Sequence, residues 1–415
     1  MDRINRRHFL TRSLGATAAA MPFVSGSGGF ARPKPAAKFR VAVIGCGRMG
    51  QQYAEIYREL PETDVVAIAE WNPDRLRVVG ERFQVDELHR EAELLLKSVV
   101  PDIAVITTPT KFMRDAVVMC AEAGVKAVQL ERPMAAKLSD ADDMVEACRK
   151  HGVKFGGGGL ERAKWEVELV GRWLKEGKFG KIIGAAVRHY ISPVGCQACR
   201  TSILRYYTGA EVAEVIAWCS PPQALSNEAT DSEIHIDGMF RLTNGIQCPV
   251  FGTPGEAPEG GLPGVEVWSE DTLVRWNRHG GPPFIYQGRD AKGARKLIDP
   301  KYPRSPYADV ILEHRAFLKR IGHTGVEFDY LMAPIWSLLD ALKNDTDPWV
   351  TGYDMRQALE IAIACKLSAQ RGSVSVKLPL EDRSHVFLPK PYRWVGGDVS
   401  GRPQSVKEAA GKKDC

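Results

Sequence analysis

Gly45-Cys46-Gly47-Arg48-Met49-Gly50 stands between a β-branched run, Lys38 to Ile44, and a helix-forming segment, Gln51 to Leu60. A second strand-forming run, Asp64 to Ala69, follows and ends at Glu70. Strand, G-x-G-x-x-G, helix, strand and acid in that order form a dinucleotide-binding βαβ unit. Gly45 permits the tight turn, Gly47 lets a pyrophosphate approach the backbone, and Gly50 lets the helix pack on the strand. Cys46, Arg48 and Met49 supply the rest of the loop, whose helix N-terminus offers free N–H groups to the phosphates. Glu70 can accept hydrogen bonds from the adenosine ribose and would repel a 2′-phosphate, which favours NAD over NADP. Arg75 could stack on adenine or hold a phosphate, which leaves NADP open.

The alternation continues. Asp102 to Thr107 reads as a strand ending in Thr108-Pro109, and Arg114 to Ala123 as a helix stopped by Gly124. Ala127 to Leu130 is a further strand, closed by Glu131-Arg132-Pro133. Ser139 is the expected cap of a helix over Asp140 to His151, and Val153-Lys154-Phe155 opens another strand. Such alternation predicts a parallel, doubly wound sheet whose ligands lie at the carboxyl ends of the strands. The crevice would gather Gly45–Gly50, Glu70, Arg75, Thr107, Thr108, Pro109, Glu131 and Arg132. Beyond it, Lys181 to Tyr190, Glu233 to Leu242, Val265 to Trp268 and Thr272 to Trp276 read as strands. Residues 252–264 read as a loop, and Asp309 to Ile321 and Met332 to Asp345 as helices.

Taken together these motifs resemble the Gfo/Idh/MocA family, the glucose–fructose oxidoreductase and inositol dehydrogenase group. The resemblance runs through Val43 to Gly50, Ala69-Glu70-Trp71-Asn72-Pro73, Thr107-Thr108-Pro109 and Glu131-Arg132-Pro133, where the family has Glu-Lys-Pro. It continues through Gly177 to Ile182, Arg356 to Glu360, Ser368 to Gly372 and Val376 to Leu380. It implies an α/β protein: an N-terminal Rossmann dinucleotide-binding domain plus a C-terminal α+β domain with an open, mostly antiparallel sheet. The boundaries expected are 38–156 for the first domain, 157–390 for the substrate and oligomerisation domain, and 391–415 for a tail. The resemblance further implies NAD(P)-dependent hydride transfer on a sugar, polyol or related hydroxy compound, in a homodimer or homotetramer.

The chain departs from the family pattern at the chemistry. Arg132 replaces the lysine, and an arginine can orient an oxygen or stabilise an alkoxide but is a poor base. Matching Arg205 and Gly209 to the family's Arg-x-x-x-Gly places Cys199 at the histidine position and Gly195 at the aspartate. Met113 replaces a second histidine. Replacement acid/base candidates are Tyr190 and His189 at the end of one strand, with Tyr206 and Tyr207 by chemistry alone or as helix packing. Cys199 would act as a thiolate if Arg132 or Arg200 lowered its pKa. Asp231, Glu233, His235 and Asp237 alternate along one strand, which gives a polar substrate surface, a metal site or a solvated sheet face. Arg162 and Lys164 enter the cleft or stay at the surface, and His279 lies in a loop. Two other readings stay open: a glycosidase that uses NAD transiently, and a catalytically silent ligand-binding homologue.

Residues 1–31 read as an address. Asn5-Arg6-Arg7-His8-Phe9-Leu10, a mild apolar stretch and a small-residue end resemble a twin-arginine export signal, implying a periplasmic or secreted protein exported already folded. Four arginines against one aspartate there carry most of the formal charge of +5. The remainder is too weakly basic for a nucleic-acid surface. No apolar run reaches the roughly 18–20 residues that a membrane helix needs, so no membrane partner is expected. The nine cysteines are widely spaced except Cys196 and Cys199, which suit a disulfide, a redox pair or two small residues in a loop.

Overall fold

The computed structural model describes residues 38–157, 162–189, 191, 200–226, 228–231, 234–252, 263–277, 281–310 and 325–395. The export signal, Tyr190, Cys196, Cys199, Glu233, His279 and nearly all of the helix expected over Asp309 to Ile321 lie outside the described residues.

β1 (Phe39–Ile44) is followed by α1 (Arg48–Glu59), β2 (Thr63–Ala69), α2 (Pro73–Phe83), β3 (Glu87–His89) and α3 (Ala92–Ser98). β4 (Ile103–Ile106), α4 (Met113–Ala123), β5 (Ala127–Leu130), α5 (Leu138–Lys150) and β6 (Lys154–Gly157) complete the first sheet. Its order is β3-β2-β1-β4-β5-β6, and every pairing is parallel. β1, β4 and β5 are almost wholly buried because helices cover both faces, which is why their sequences read as unbroken apolar runs. The strand order reverses between β1 and β4, so a crevice opens above the ends of these two strands.

The second half contributes α6 (Trp165–Lys175), β7 (Gly184–Val187), α7 (Arg200–Thr208), β8 (Val212–Ser220) and β9 (His235–Leu242). β10 (Gln247–Val250), β11 (Pro263–Trp268), β12 (Thr272–Asn277), β13 (Phe284–Arg289) and β14 (Arg295–Ile298) follow. α8 (Gly325–Asn344), α9 (Gly352–Gln370), β15 (Val376–Lys377) and α10 (Pro391–Trp394) end the described chain. The nine strands run β14-β13-β12-β11-β7-β10-β9-β8-β15, antiparallel except for β7 beside β10. The expected open, mostly antiparallel sheet is therefore present.

On β8 and β9, Val215, Ala217, Ile236 and Phe240 are buried, while Ile216, Trp218 and Met239 on the alternate positions face outward. The second half is fastened to the first by ion pairs. Arg356 of α9 and Arg383 each reach Asp142 of α5 at 2.7 Å, and both also hold the wholly buried Glu360.

Two expectations change in detail. Ser139 does not cap α5; the helix begins at Leu138, with Lys137 at its N-cap. The first N–H groups are satisfied instead by the carbonyls of His385 and Arg383, which lie far along the chain. Asp231, His235 and Asp237 do not share a strand face either. Asp231 precedes β9 and is buried in an ion pair with Lys366 at 2.9 Å.

Candidate dinucleotide and substrate site

The loop after β1 is shaped by its glycines. Gly45 has φ +90°, and its N–H donates to the Ala69 carbonyl at 2.8 Å, which ties the loop to the end of β2. A Cβ on Gly50 would lie 2.0 Å from the Gly45 oxygen, so only glycine lets α1 start this close to the strand. A Cβ on Gly47 would meet nothing within 4 Å. That open space is where a pyrophosphate can approach the backbone. α1 closes its first hydrogen bond from Gln51 N–H to the Gly47 carbonyl, so the N–H groups of Arg48, Met49 and Gly50 have no helical partner. Gln51 Nε2 donates to the Cys46 carbonyl at 2.9 Å and fixes the loop from within the helix. Burial, together with the charge of Glu70, pushes the Cys46 thiol well above its ordinary pKa, so Cys46 is a packing residue and not a nucleophile.

Glu70 lies at the end of β2, only 3% exposed. Its Oε2 accepts the Cys46 N–H at 2.8 Å, and its Oε1 accepts the Asn72 N–H at 2.9 Å and Arg75 Nη1 at 3.1 Å. Arg75, read from the sequence as able to stack on adenine or hold a phosphate, pairs with this acid. Asn72 caps α2 by accepting the Arg75 N–H on its side chain. Trp71, between them, is 72% exposed.

On the other side of the crevice Thr107 Oγ1 donates to the Gly45 carbonyl, joining the ends of β1 and β4. Thr108 Oγ1 is shielded and has no hydrogen-bond partner among the described residues. Together with the open cradle at Gly47 and the unpaired helix N–H groups, this leaves donors and space where a dinucleotide would lie. The residues fit the cofactor.

Glu131 is buried at the end of β5. Its Oε1 accepts the Tyr53 hydroxyl at 2.9 Å and its Oε2 accepts the Arg132 N–H at 3.1 Å. Arg132 is half-buried, and its carbonyl accepts Arg393 Nη1 of α10 at 3.3 Å. Thr110 Oγ1 donates to the Pro133 carbonyl at 3.4 Å, so both sides of this turn are held. Tyr53, Gln51 and Arg393 were not legible as site residues, because their partners are set by packing across many positions. One signal was readable: Gln129 is a polar residue inside an apolar strand, and its wholly buried amide has no hydrogen-bond partner among the described residues.

In the second half of the chain His189 is buried just beyond β7, while its neighbour Arg188 turns to Glu266 at 3.0 Å. Arg162 is not a free cleft cation. It is buried against Glu168 at 3.1 Å, with its guanidinium 3.6 Å from the centre of the Tyr206 ring. The Tyr206 hydroxyl donates to Glu168 Oε1 at 2.9 Å, and burial with that carboxylate raises its pKa. Tyr207 is buried and Tyr206 half-buried, so both tyrosines pack α7. Arg205 bridges Glu211 at 2.6 Å and Asp354 at 3.0 Å. Met113 is an apolar core residue at the start of α4. His235 and Asp237 are half-buried on the outward face of β9; burial raises the Asp237 pKa, and its carboxylate accepts the Gly252 N–H at 2.9 Å. Among the described residues no three His, Cys, Asp or Glu side chains are grouped to hold a metal.

A parallel sheet with a glycine cradle at its switch point defines a dinucleotide-binding α/β protein. Residues 39–158 match the model of the Gfo/Idh/MocA oxidoreductase family, NAD-binding Rossmann fold. Over 145 residues the chain is 32% identical to a D-apiose dehydrogenase of Paraburkholderia graminis, covering 34% of this chain and 38% of that protein. Over 142 residues it is 26% identical to a 2,7-anhydro-N-acetylneuraminate hydratase of Mediterraneibacter gnavus, covering 34% and 37%. The chain thus spans less than two-fifths of the length of either relative. A levoglucosan dehydrogenase solved with NADH and levoglucosan shares the fold with a TM-score of 0.65 at 17% identity, covering 83% of this chain and all of that one.

Proposed function

We propose that the protein is an NAD-dependent oxidoreductase acting on the carbinol carbon of a sugar, polyol or related hydroxy compound. The observation that carries this reading is the Gly45–Gly50 loop, with open space above Gly47 and N–H groups at the start of α1 that have no partner within the helix. The sugar class rests on relatives named as sugar dehydrogenases, to which the first domain is similar. The nicotinamide would supply a hydride acceptor or donor. The chain's own part is to grip the pyrophosphate on Arg48, Met49 and Gly50, to accept the ribose hydroxyls on Glu70, and to set the substrate oxygen. Arg132 suits the last task, because its backbone is held on both sides and its guanidinium stays charged. The proton falls to a second-domain group, for which His189, Tyr190 and Cys199 are the candidates.

The decisive test has two parts. Denaturing the purified protein should release NAD, and replacing Arg132 by Ala should lower turnover of a sugar or polyol by about 100-fold or more with NAD binding retained. Protein that carries no nucleotide and binds none in titration would overturn the reading. A second reading, in which NAD is used and restored within one cycle, is favoured by the relative named as a hydratase. It predicts product formation with the nicotinamide unchanged at the end. The export reading of residues 1–31 belongs to the same proposal, and N-terminal sequencing of secreted protein that began at Met1 would refute it. Assembly is proposed as a homodimer or larger oligomer.

A further inference from the structure

We propose that the stretch from His385 to Arg393 is a strap that positions Arg132, with Arg393 as its working end. This rests on the role given to Arg132 in the proposed function. Alternate residues of the strap bond to opposite sides, as those of an inner strand do. On one side the His385 carbonyl accepts the Leu138 N–H at 3.1 Å, and the Phe387 N–H donates to the Ala136 carbonyl at 2.9 Å. Val386 pairs with Lys137 between them, so the strap lies along the residues that follow the Glu131-Arg132-Pro133 turn. On the other side the Val386 carbonyl accepts Lys366 Nζ of α9 at 3.3 Å. Leu388 meets the buried Asp231 twice: its N–H donates to Oδ2 at 2.6 Å, and its carbonyl accepts the Asp231 N–H at 2.9 Å. Lys366 neutralises that carboxylate at 2.9 Å, and Thr230 Oγ1 donates to the Pro389 carbonyl at 3.2 Å.

The strap then enters α10, where Arg393 Nη1 donates to the Arg132 carbonyl at 3.3 Å. Arg393 Nε is shielded and has no hydrogen-bond partner among the described residues, so the Arg132 carbonyl is the acceptor that fixes this guanidinium. On the near side of the same Cα, Glu131 Oε2 accepts the Arg132 N–H at 3.1 Å. Both peptide groups that flank the Arg132 side chain are thus held, one by the first sheet and one by the strap. A misplacement of about 1 Å at a group that sets a reacting atom costs on the order of 100-fold in rate. Through Asp231 and Lys366 the strap is tied to the second half of the chain, which bears the candidates for proton transfer. It therefore sets Arg132 relative to that half as well as to the glycine loop. Arg393 touches neither substrate nor cofactor in this scheme; it is a positioning residue.

The test follows sugar or polyol turnover, NAD+ binding and amide hydrogen exchange in the full chain. Arg393→Met should lower kcat by about tenfold or more, with the NAD+ dissociation constant within about twofold of the parent. Arg393→Lys, which keeps a donor, should recover most of that loss. In the Arg132→Ala background Arg393→Met should change kcat by less than about twofold, because its effect passes through Arg132. Amide exchange at Glu131 and Arg132 should quicken by about tenfold or more in Arg393→Met and in Asp231→Asn, with residues 45–50 unchanged. Should Asp231→Asn not fold, Thr230→Val, which removes the bond to Pro389, takes its place. If Arg393→Met turns over like the parent, if its effect is undiminished without the Arg132 side chain, or if exchange at residues 131 and 132 does not move, the proposal fails. If the parent turns over nothing, or Arg132→Ala is as active as the parent, the role given to Arg132 falls instead, and exchange alone decides whether the strap holds the turn.

Discussion

Gly47 and Gly50, three positions apart, differ in role, and one substitution separates them. Gly47 has φ −64° and ψ −170°, an extended conformation open to any residue, and a Cβ there touches no protein atom. Gly47→Ala should therefore leave the melting temperature within about 2 °C of the parent. It should still weaken NAD binding by about tenfold or more, because the methyl group fills the space reserved for the pyrophosphate. Gly50→Ala is different, since its Cβ would meet the Gly45 oxygen at 2.0 Å, a backbone atom that cannot step aside cheaply. That variant should lose both cofactor binding and stability, by about 1–3 kcal/mol in urea unfolding. Calorimetry of both variants with NAD titration distinguishes a cradle from a packing glycine. The loop was legible in the sequence because each glycine's task is local. The Glu70–Arg75 pair was only half legible: both residues stood out, but the shared lone pairs that join them depend on the exact turn into α2.

Among the helices, α9 shows how a single buried cation can hold several elements. Its N-terminus is closed by a capping box of Thr351 and Asp354, and Asp354 also receives Arg205 of α7, which pairs with Glu211 ahead of β8. Burial would raise the pKa of both carboxylates, but Arg205, joined by Arg162 and Thr351 at Asp354 and by Gln357 at Glu211, more than offsets it and holds them below the ordinary range. Acids with depressed folded-state pKa values stabilise the fold above the unfolded value of about 4, and that contribution fades as the pH falls through the folded value. Arg205→Met should cost about 2–3 kcal/mol at neutral pH. The gap between variant and parent should narrow as the pH is lowered past about 4, where the carboxylates in both proteins take up protons. Urea unfolding across that range checks it; a gap independent of pH would mean that Arg205 acts by packing alone. The start of α5 shows why some boundaries escape a linear reading. Its first N–H groups bond to residues 383 and 385, so no local cap was needed and Ser139 was a false signal. α4 is the opposite case, because its stop at Gly124, in the left-handed conformation, is written in the sequence itself.

For the whole molecule, the parallel sheet was readable from alternation and the antiparallel one only in pieces. Its nine-strand order, with β7 beside β10 and β11, depends on pairings that no single segment encodes. The same order leaves one face of that sheet outward, where Ile216 pairs across strands with Met239 and Trp218 with Asp237. Trp218 is about half exposed and Ile216 and Met239 are exposed beside it, an apolar patch at the centre of adjoining strands. Patches of this kind on a soluble protein are commonly covered by a partner, and a stable interface needs roughly 1,200–2,000 Å² in total. A second copy of the same sheet face, as in the proposed homo-oligomer, is one partner that would cover it. Trp218→Asp should then place a charge beside Asp237 in both copies and shift sedimentation from dimer toward monomer by about tenfold or more in dissociation constant. NAD binding should be unaffected, since the glycine loop belongs to the other sheet. If the unaltered protein sediments as a monomer at micromolar concentration, this face is not an oligomer interface, and the cofactor site stands or falls without it.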